Sequence, residues 1–426
     1  MKIQIDETKR NWIFLIGLVV LTPIFFRIEG GLYREKVLLV DSQGIIGILP
    51  LPISIFIVFF SCLLFPISFA SIRATVYMLL GIVTAYIVSL WVLGVEMILT
   101  GKKFLAVFQM CLPITGLFVG QLIKDDDKLI AKSFLMVLTL VVPLQLISTW
   151  LQDIEGLAHY LYIFTIYSHL QYVTVIFVCA YAYALTSLWG THKILLAALT
   201  IIMFLYIGRS YSFLAIVAYV LILFIFFIQK ILWNKYRGGK IILYFSLIFL
   251  FGIGLYSSNQ KSVGMGYVSE KIHQFFNYKF KEIAVGKLPS NVEARLSDWS
   301  YYTTGITESK TAIFFGHPQP LSREIRTSPH NWYIEVVYNF GLIGLIPIFV
   351  LIGYTVNLCR LQSKTLSPEV WWLAAIVFYL VIIDSNFKVT LRQPYPGIFT
   401  YFMWGLLLSR LQWGMVHKTK IGNDVH

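Results

Sequence analysis

The 426-residue chain is 58% hydrophobic and only 13% charged, with a mean hydropathy of +0.75. Soluble domains carry about a quarter charged residues, so this composition excludes a soluble globular protein and marks a polytopic membrane protein. The formal net charge of +13 fits Lys and Arg placed in short cytoplasmic loops beside anionic lipid; no Arg-rich arm or base-stacking repeat points to nucleic acid.

Apolar stretches long enough to cross about 30 Å of hydrocarbon recur at 11–26, 44–66, 74–98, 104–123, 129–150, 161–189, 191–208, 210–229, 241–256, 331–358, 368–384 and 396–413. They predict an all-α fold of about twelve transmembrane helices. The first run has no small-residue cleavage site and reads as a retained signal anchor. Cys62, Cys111, Cys179 and Cys359 lie in or beside apolar runs without a Cys-x-x-Cys pair, so they are expected to be small core residues and not metal ligands or disulfide partners. The apolar run from Ile194 to Ile228 is too long for one crossing, and its interruption at Gly208, Arg209 and Ser210 predicts a tight helical hairpin.

Charge sets the direction of the spans. The loop from Gln229 to Lys240 holds Lys230, Lys235, Arg237 and Lys240 with no acid, which places it in the cytoplasm. Lys2, Lys9, Arg10, Lys418 and Lys420 agree with it for an even number of spans, whereas Lys102 and Lys103 fall outside and the acidic loop Lys124–Lys128 falls inside. The chain then divides into nine helices over 1–256, one large outer loop over 257–327, and three helices with a cytoplasmic tail over 328–426.

The outer loop is mixed in composition, and long loops in compact proteins are usually functional. Its segment GYVSEKIHQFFNYKFKEI places Val268, Ile272, Phe275, Phe276, Phe280 and Ile283 at roughly helical spacing among Lys271, Lys279 and Lys281, as an interfacial amphipathic helix does. In SNVEARLSDWSYY, Ser290 and Glu293 form a capping box, and Arg295 and Trp299 fall four apart on one helical face. Ser328 is expected to cap the next span with Pro329 at its first position, so that His330 and Asn331 occupy the first turn. A helix N-terminus disfavours imidazolium, which leaves His330 a nitrogen free to accept a proton; it also attracts phosphate. A histidine that merely caps the helix end is the other reading. Gly341 and Gly344, one turn apart, are expected to admit a neighbouring helix. Glu335 lies five residues past His330, about 140° around a helix, so its partner is not that histidine. On this topology Arg209, Arg295, Arg323, Arg326 and His330 all face one compartment, and guanidinium forks suit a diphosphate.

Several of these residues fall into a pattern. His330 and Asn331, followed after nine residues by Gly341 and then Gly344, are similar to the signature of the bacterial O-antigen ligase and O-antigen polymerase family. GRSYSFLA resembles that family's arginine-led start of a span, with Arg209 matching and Phe213 standing where Leu is common. ARLSDW, continuing to FFGHPQP, resembles its Arg-x-x-x-Trp and glycine turn, through Arg295, Trp299 and Gly316, with Pro318 displacing a second glycine.

The resemblance implies a GT-C type membrane glycosyltransferase of the bacterial inner membrane with its site on the periplasmic side. Such an enzyme moves a glycan from undecaprenyl diphosphate to a sugar hydroxyl, without nucleotide sugar, cofactor or obligatory metal. In that reading His330 is the base, and Arg209 and Arg295 hold the diphosphate. Asn331 orients the histidine or a sugar hydroxyl, and Arg323 and Arg326 contact phosphate or acceptor. Trp299, Tyr301 and Tyr302 either stack on sugars or pack on the membrane surface. A polymerase extends a lipid-linked repeat, with a chain-length regulator as a possible partner, whereas a ligase caps lipid A core. The richness in Ile, Phe, Tyr and Lys inclines the reading to a polymerase. A lipid-linked sugar flippase or secondary transporter is the reading from another class, but the distinctive polar residues gather at one interface and not at the midplane.

Overall fold

The computed structural model describes residues 6, 9–10, 12–13, 51–94, 101–123, 128–151, 170–210, 212–233, 290–318, 328–392 and 394–423. Nearly all of span 11–26, the whole of span 241–256, the amphipathic segment, most of the basic loop, and Arg323 and Arg326 lie outside these residues. The described residues form helices and turns and no strand. In chain order the helices are α1 (Leu51–Leu64), α2 (Phe69–Val92), α3 (Gly101–Cys111), α4 (Thr115–Leu122), α5 (Leu129–Leu151), α6 (Leu170–Leu188), α7 (Lys193–Arg209) and α8 (Phe213–Trp233). After them come α9 (Ser290–Thr307), α10 (Lys310–Phe315), α11 (Trp332–Phe340), α12 (Ile346–Gln362), α13 (Pro368–Phe378) and α14 (Pro394–Asn423). A π-helical segment, Tyr379–Asp384, and one further turn, Ser385–Phe387, prolong α13.

Among the described residues, four stretches are long and apolar enough to cross a membrane: Phe69–Val92, Leu129–Leu151, Leu342–Gln362 and Pro368–Phe387. Their outward faces are apolar. On α5, Met136, Leu140, Leu144, Ile147 and Trp150 recur every three or four residues, and each is exposed. Such a stripe is stable against hydrocarbon and not against water. α2 starts at Phe69, earlier than its hydropathy alone indicates, because the Ser68 hydroxyl caps it by accepting from Ser71 N at 3.3 Å. The apolar run breaks into α7 and α8 as expected, but Gly208 and Arg209 still belong to α7 and the break follows them; Tyr219 OH on α8 donates to Thr200 O on α7 at 2.6 Å. Of the four cysteines, all free, Cys179 is buried, whereas Cys62 is exposed on α1.

The tightest packing joins α4 to α14. Gly116 and Gly120, one turn apart, lie so close that a Cβ at Gly116 would meet Ile398 O at 2.0 Å and one at Gly120 would meet Phe402 O at 2.3 Å. From the facing helix, a Cβ at Gly405 would meet Leu117 O at 2.4 Å. This is the small-residue interface that membrane helices use when lipid and side chain are equally apolar. Polar ties extend it: Thr75 Oγ1 donates to Gln121 Oε1 at 2.6 Å, joining α2 to α4, and Trp404 Nε1 donates to Thr355 Oγ1 at 2.8 Å, joining α14 to α12.

The span expected over 331–358 is not one helix. α11 ends at Phe340, where Gly341 takes φ 71° and ψ −173°, a region open essentially to glycine alone; a short 3-10 turn then leads into α12. Gly316 ends α10 in the same way, with φ 76° and ψ −162°. The two glycines interlock. A Cβ on Gly341 would meet the backbone of Phe314 at 2.1 Å, and one on Gly316 would meet that of Asn339 at 2.5 Å. Gly341 therefore admits a neighbour as expected, but as a helix stop, whereas a Cβ on Gly344 would meet Phe340 of its own preceding turn at 2.7 Å.

Gly116→Leu is expected to destabilise the protein by about 3 kcal/mol or more, because the backbone it meets cannot yield. Gly353→Ala on α12, where nothing lies within 4 Å of the added carbon, is expected to stay within about 1 kcal/mol of wild type. Thermal unfolding of both variants in detergent measures the difference.

Candidate functional site

α9, the start of α11 and the end of α13 meet at one place, and they bring with them residues far apart in sequence. Trp299 Nε1 on α9 donates to Pro329 O at 2.6 Å, directly before His330. One turn earlier on the same face, Arg295 donates from one terminal guanidinium nitrogen to Phe387 O at 3.4 Å. Asn331 Nδ2 donates to Asn386 Oδ1 at 3.1 Å, and Asn386 in turn donates to Ile382 O at 2.6 Å. Arg295, Trp299, His330 and Asn331 thus converge, with Asn386 and Phe387 as the shared floor.

The start of α11 differs from the expected one. Asn331, not Ser328, is the N-cap: its Oδ1 accepts from Ile334 N at 3.1 Å, and the helix begins at Trp332. Pro329 therefore lies outside the helix, and its carbonyl is taken by Trp299. Ser328 caps only a local turn, its Oγ accepting from His330 N at 3.3 Å. His330 precedes the cap and takes φ 49°, one of two non-glycine residues with positive φ among those described. Backbone strain of this kind costs about 1–3 kcal/mol and persists where surrounding contacts enforce it, most often at functional sites.

Behind this cluster stands a pair that the sequence reading left incomplete. Glu335 Oε1 accepts from an Arg392 guanidinium nitrogen at 2.6 Å, with the two side chains only 13% and 15% exposed. The second oxygen of Glu335 is buried without a partner among the described residues. A second ion pair, Lys388 Nζ to Asp384 at 3.2 Å, is buried at the end of the π segment, and Thr390 Oγ1 donates to the same carboxylate. π-helical turns are frequent at functional sites. A signal for both cations was present in the sequence. Lys388 and Arg392 stand in the short connection after the eleventh expected span, on the side where Lys and Arg are disfavoured unless they have a local use.

Tyr302 is 5% exposed, and its ring packs edge-on to Tyr338 with centroids 5.0 Å apart. Burial pushes its phenol up, Glu335 adds to the shift and Arg392 opposes it, so the hydroxyl remains a neutral donor. Tyr301, beside it, is 40% exposed. Below Tyr302, the His317 ring stacks on Tyr338 at 4.2 Å and its Nε2 lies 3.1 Å from Gly305 O.

Arg209 closes α7, where a cation complements the helix end. The start of α8 packs on the π segment, since Tyr379 OH donates to Leu214 O at 3.4 Å. Asn386 is seven residues farther along that helix, about 10 Å. At the other end of α13, Glu369 pairs with Lys128 at 2.6 Å, and Lys128 also donates to Ser187 O. Glu369 and Asn386 are separated by 17 residues, about 25 Å of helix, so the candidate site occupies one end of the bundle. Its cations are not all neutralised: Arg295 is half-buried and makes no ion pair among the described residues. Among the same residues, no three His, Cys, Asp or Glu side chains gather so as to hold a metal ion.

Removing one partner of the Glu335–Arg392 pair leaves a mostly buried charge alone. Glu335→Gln is expected to cost about 3 kcal/mol, and the double variant with Arg392→Gln less than the single one. A double-mutant cycle by thermal unfolding reads the coupling.

No protein-family model matches the chain, and no curated protein matches it.

Proposed function

We propose that the protein is a bacterial inner-membrane glycosyltransferase, a surface-polysaccharide polymerase that transfers an undecaprenyl diphosphate-linked glycan to a sugar hydroxyl of a lipid-linked acceptor. On this reading the chain crosses the membrane about twelve times and its site opens to the periplasm. The observation that carries the proposal is that Arg295, which makes no ion pair among the described residues, lies one helical turn before Trp299, whose indole holds the carbonyl directly preceding the strained His330, at one end of an apolar helical bundle. Guanidinium offers several N–H donors in a fork that matches phosphate oxygens, and Arg295 commits one of them to a long bond with Phe387 O.

The chemistry is an inverting displacement. A His330 ring nitrogen takes the proton of the acceptor hydroxyl as its oxygen bonds to the anomeric carbon. The bond from that carbon to the diphosphate oxygen breaks on the opposite face. Arg295 and Arg209 receive the charge that develops on the departing diphosphate. Asn331, fixed by Asn386 and by its capping bond to Ile334 N, keeps the His330 backbone in its strained conformation. Trp299 does the same from α9 through Pro329 O.

Gel profiles of surface glycan from cells lacking the gene, rescued at equal membrane expression, test the proposal. His330→Gly is expected to lose transfer by about 10²- to 10⁴-fold while keeping its melting temperature, since glycine adopts positive φ without steric cost. Arg295→Lys keeps the charge but loses the fork, and a drop of about tenfold or more is expected. A core carrying a single repeat in the deletion identifies a polymerase. A bare core with accumulated lipid-linked chains identifies a ligase instead, and full rescue by His330→Gly removes the histidine from the mechanism.

A further inference from the structure

A second feature lies in the membrane-crossing part of the bundle. Between α2 and α12 runs a cavity of about 640 Å³, lined on one side by Arg73, Tyr77, Leu80, Thr84 and Val88 and on the other by Ile343, Ile346, Val350 and Tyr354. Its floor is the close contact of the two helices, where a Cβ on Gly81 would meet Pro347 Cγ at 3.0 Å. Its rim opens outward: Tyr77, Leu80, Ile346 and Val350 are 61%, 58%, 56% and 63% exposed.

The groove has one polar end. Arg73 is the fifth residue of α2 and lies inside a candidate membrane span, where an arginine is costly and has a use when retained. It donates to Tyr354 OH, and its guanidinium carbon lies 5.5 Å from the centre of the Tyr354 ring. Gln412 Nε2 donates to the same hydroxyl at 3.3 Å, so the tyrosine is held from two sides. The Nε of Arg73 is buried without a partner among the described residues. No acid pairs with Arg73 among those residues, so it brings uncompensated positive charge to the end of an apolar trough.

We propose that this groove binds one anionic phospholipid, its phosphate on Arg73 and an acyl chain along α2 and α12. The charge complements the head group, and the lining complements the tail. From Arg73 to Val88 is fifteen residues, about 22 Å of helix, enough for a chain that fills one leaflet of a hydrocarbon core about 30 Å thick. The far end of the groove approaches the candidate site, because Ser89, next to Val88, donates to Phe315 O at 2.6 Å. The phosphate end therefore belongs to the opposite leaflet, and the lipid is not the glycan donor. The inference rests on the membrane spans and on Arg73, and it stands or falls apart from the transferase reading.

Native mass spectrometry of the full-length protein in detergent, incubated with phosphatidylglycerol or phosphatidylcholine of the same acyl chains, tests it. The wild type is expected to retain one phosphatidylglycerol with a preference of about tenfold, the scale of one charge-assisted hydrogen bond. Arg73→Met is expected to abolish the preference. Val350→Trp, placed on the exposed rim where it leaves the fold intact, is expected to reduce retention of both lipids. Equal retention of the two lipids by the wild type overturns the proposal, as does a preference that survives Arg73→Met. Should Arg73→Met fail to fold, unchanged phosphatidylglycerol retention by Val350→Trp overturns it, and means that the lipid is held elsewhere on the protein.

Discussion

Backbones can touch only where side chains are absent, and this molecule depends on that constraint in two places. In the span region, Gly116 and Gly120 of α4 and Gly405 of α14 remove the Cβ atoms that would hold the helices apart. Apolar side chains gain little by leaving lipid for protein, so close van der Waals contact and a few buried hydrogen bonds must supply the cohesion. α14 then ties to α12 through Trp404 and Thr355, and α4 ties to α2 through Gln121 and Thr75. The walls of the groove at Arg73 are thus set by packing on their other faces.

The second place governs the candidate site. Gly316 and Gly341 stop their helices in a conformation closed to other residues, and the backbone just before each occupies the space that a Cβ on the other would need. The consequence is that α10 and α11 end side by side. His317 N donates to Tyr338 O at 3.0 Å, and the His317 ring stacks on Tyr338. α9, which precedes α10 by a short turn, is thereby laid along α11, and Trp299 reaches the carbonyl of Pro329. The strained backbone at His330 is held from α9 on one side and from α13, through Asn386, on the other.

The charges at the site follow from the same geometry. Glu335 faces the connection after α13, where Arg392 meets it, and the π turn ends on the buried Asp384–Lys388 pair. Two cations are matched by two carboxylates. Arg295, on a separate helix, is left with a backbone carbonyl at 3.4 Å. A partly desolvated guanidinium without a carboxylate attracts an anion more strongly than an exposed one, because less water screens it.

The sequence by itself determined that the chain is helical and belongs in a membrane, that the apolar run around Arg209 breaks into two helices, and that Arg295 and Trp299 share a helix face. These are local properties of composition and of the 3.6-residue period. It did not determine where α11 begins and ends. Ser328 and Asn331 are both good caps in isolation, and Asn331 prevails because its amide also meets Asn386, 55 residues away. Gly341 reads as a packing residue within a long span until the backbone of Phe314 occupies the space beside it. The partner of Glu335 was beyond local reading, since Arg392 lies 57 residues farther along the chain. Only the tertiary structure makes such choices, because a cap, a helix stop or an ion pair is settled by which distant backbone or charge arrives at that point.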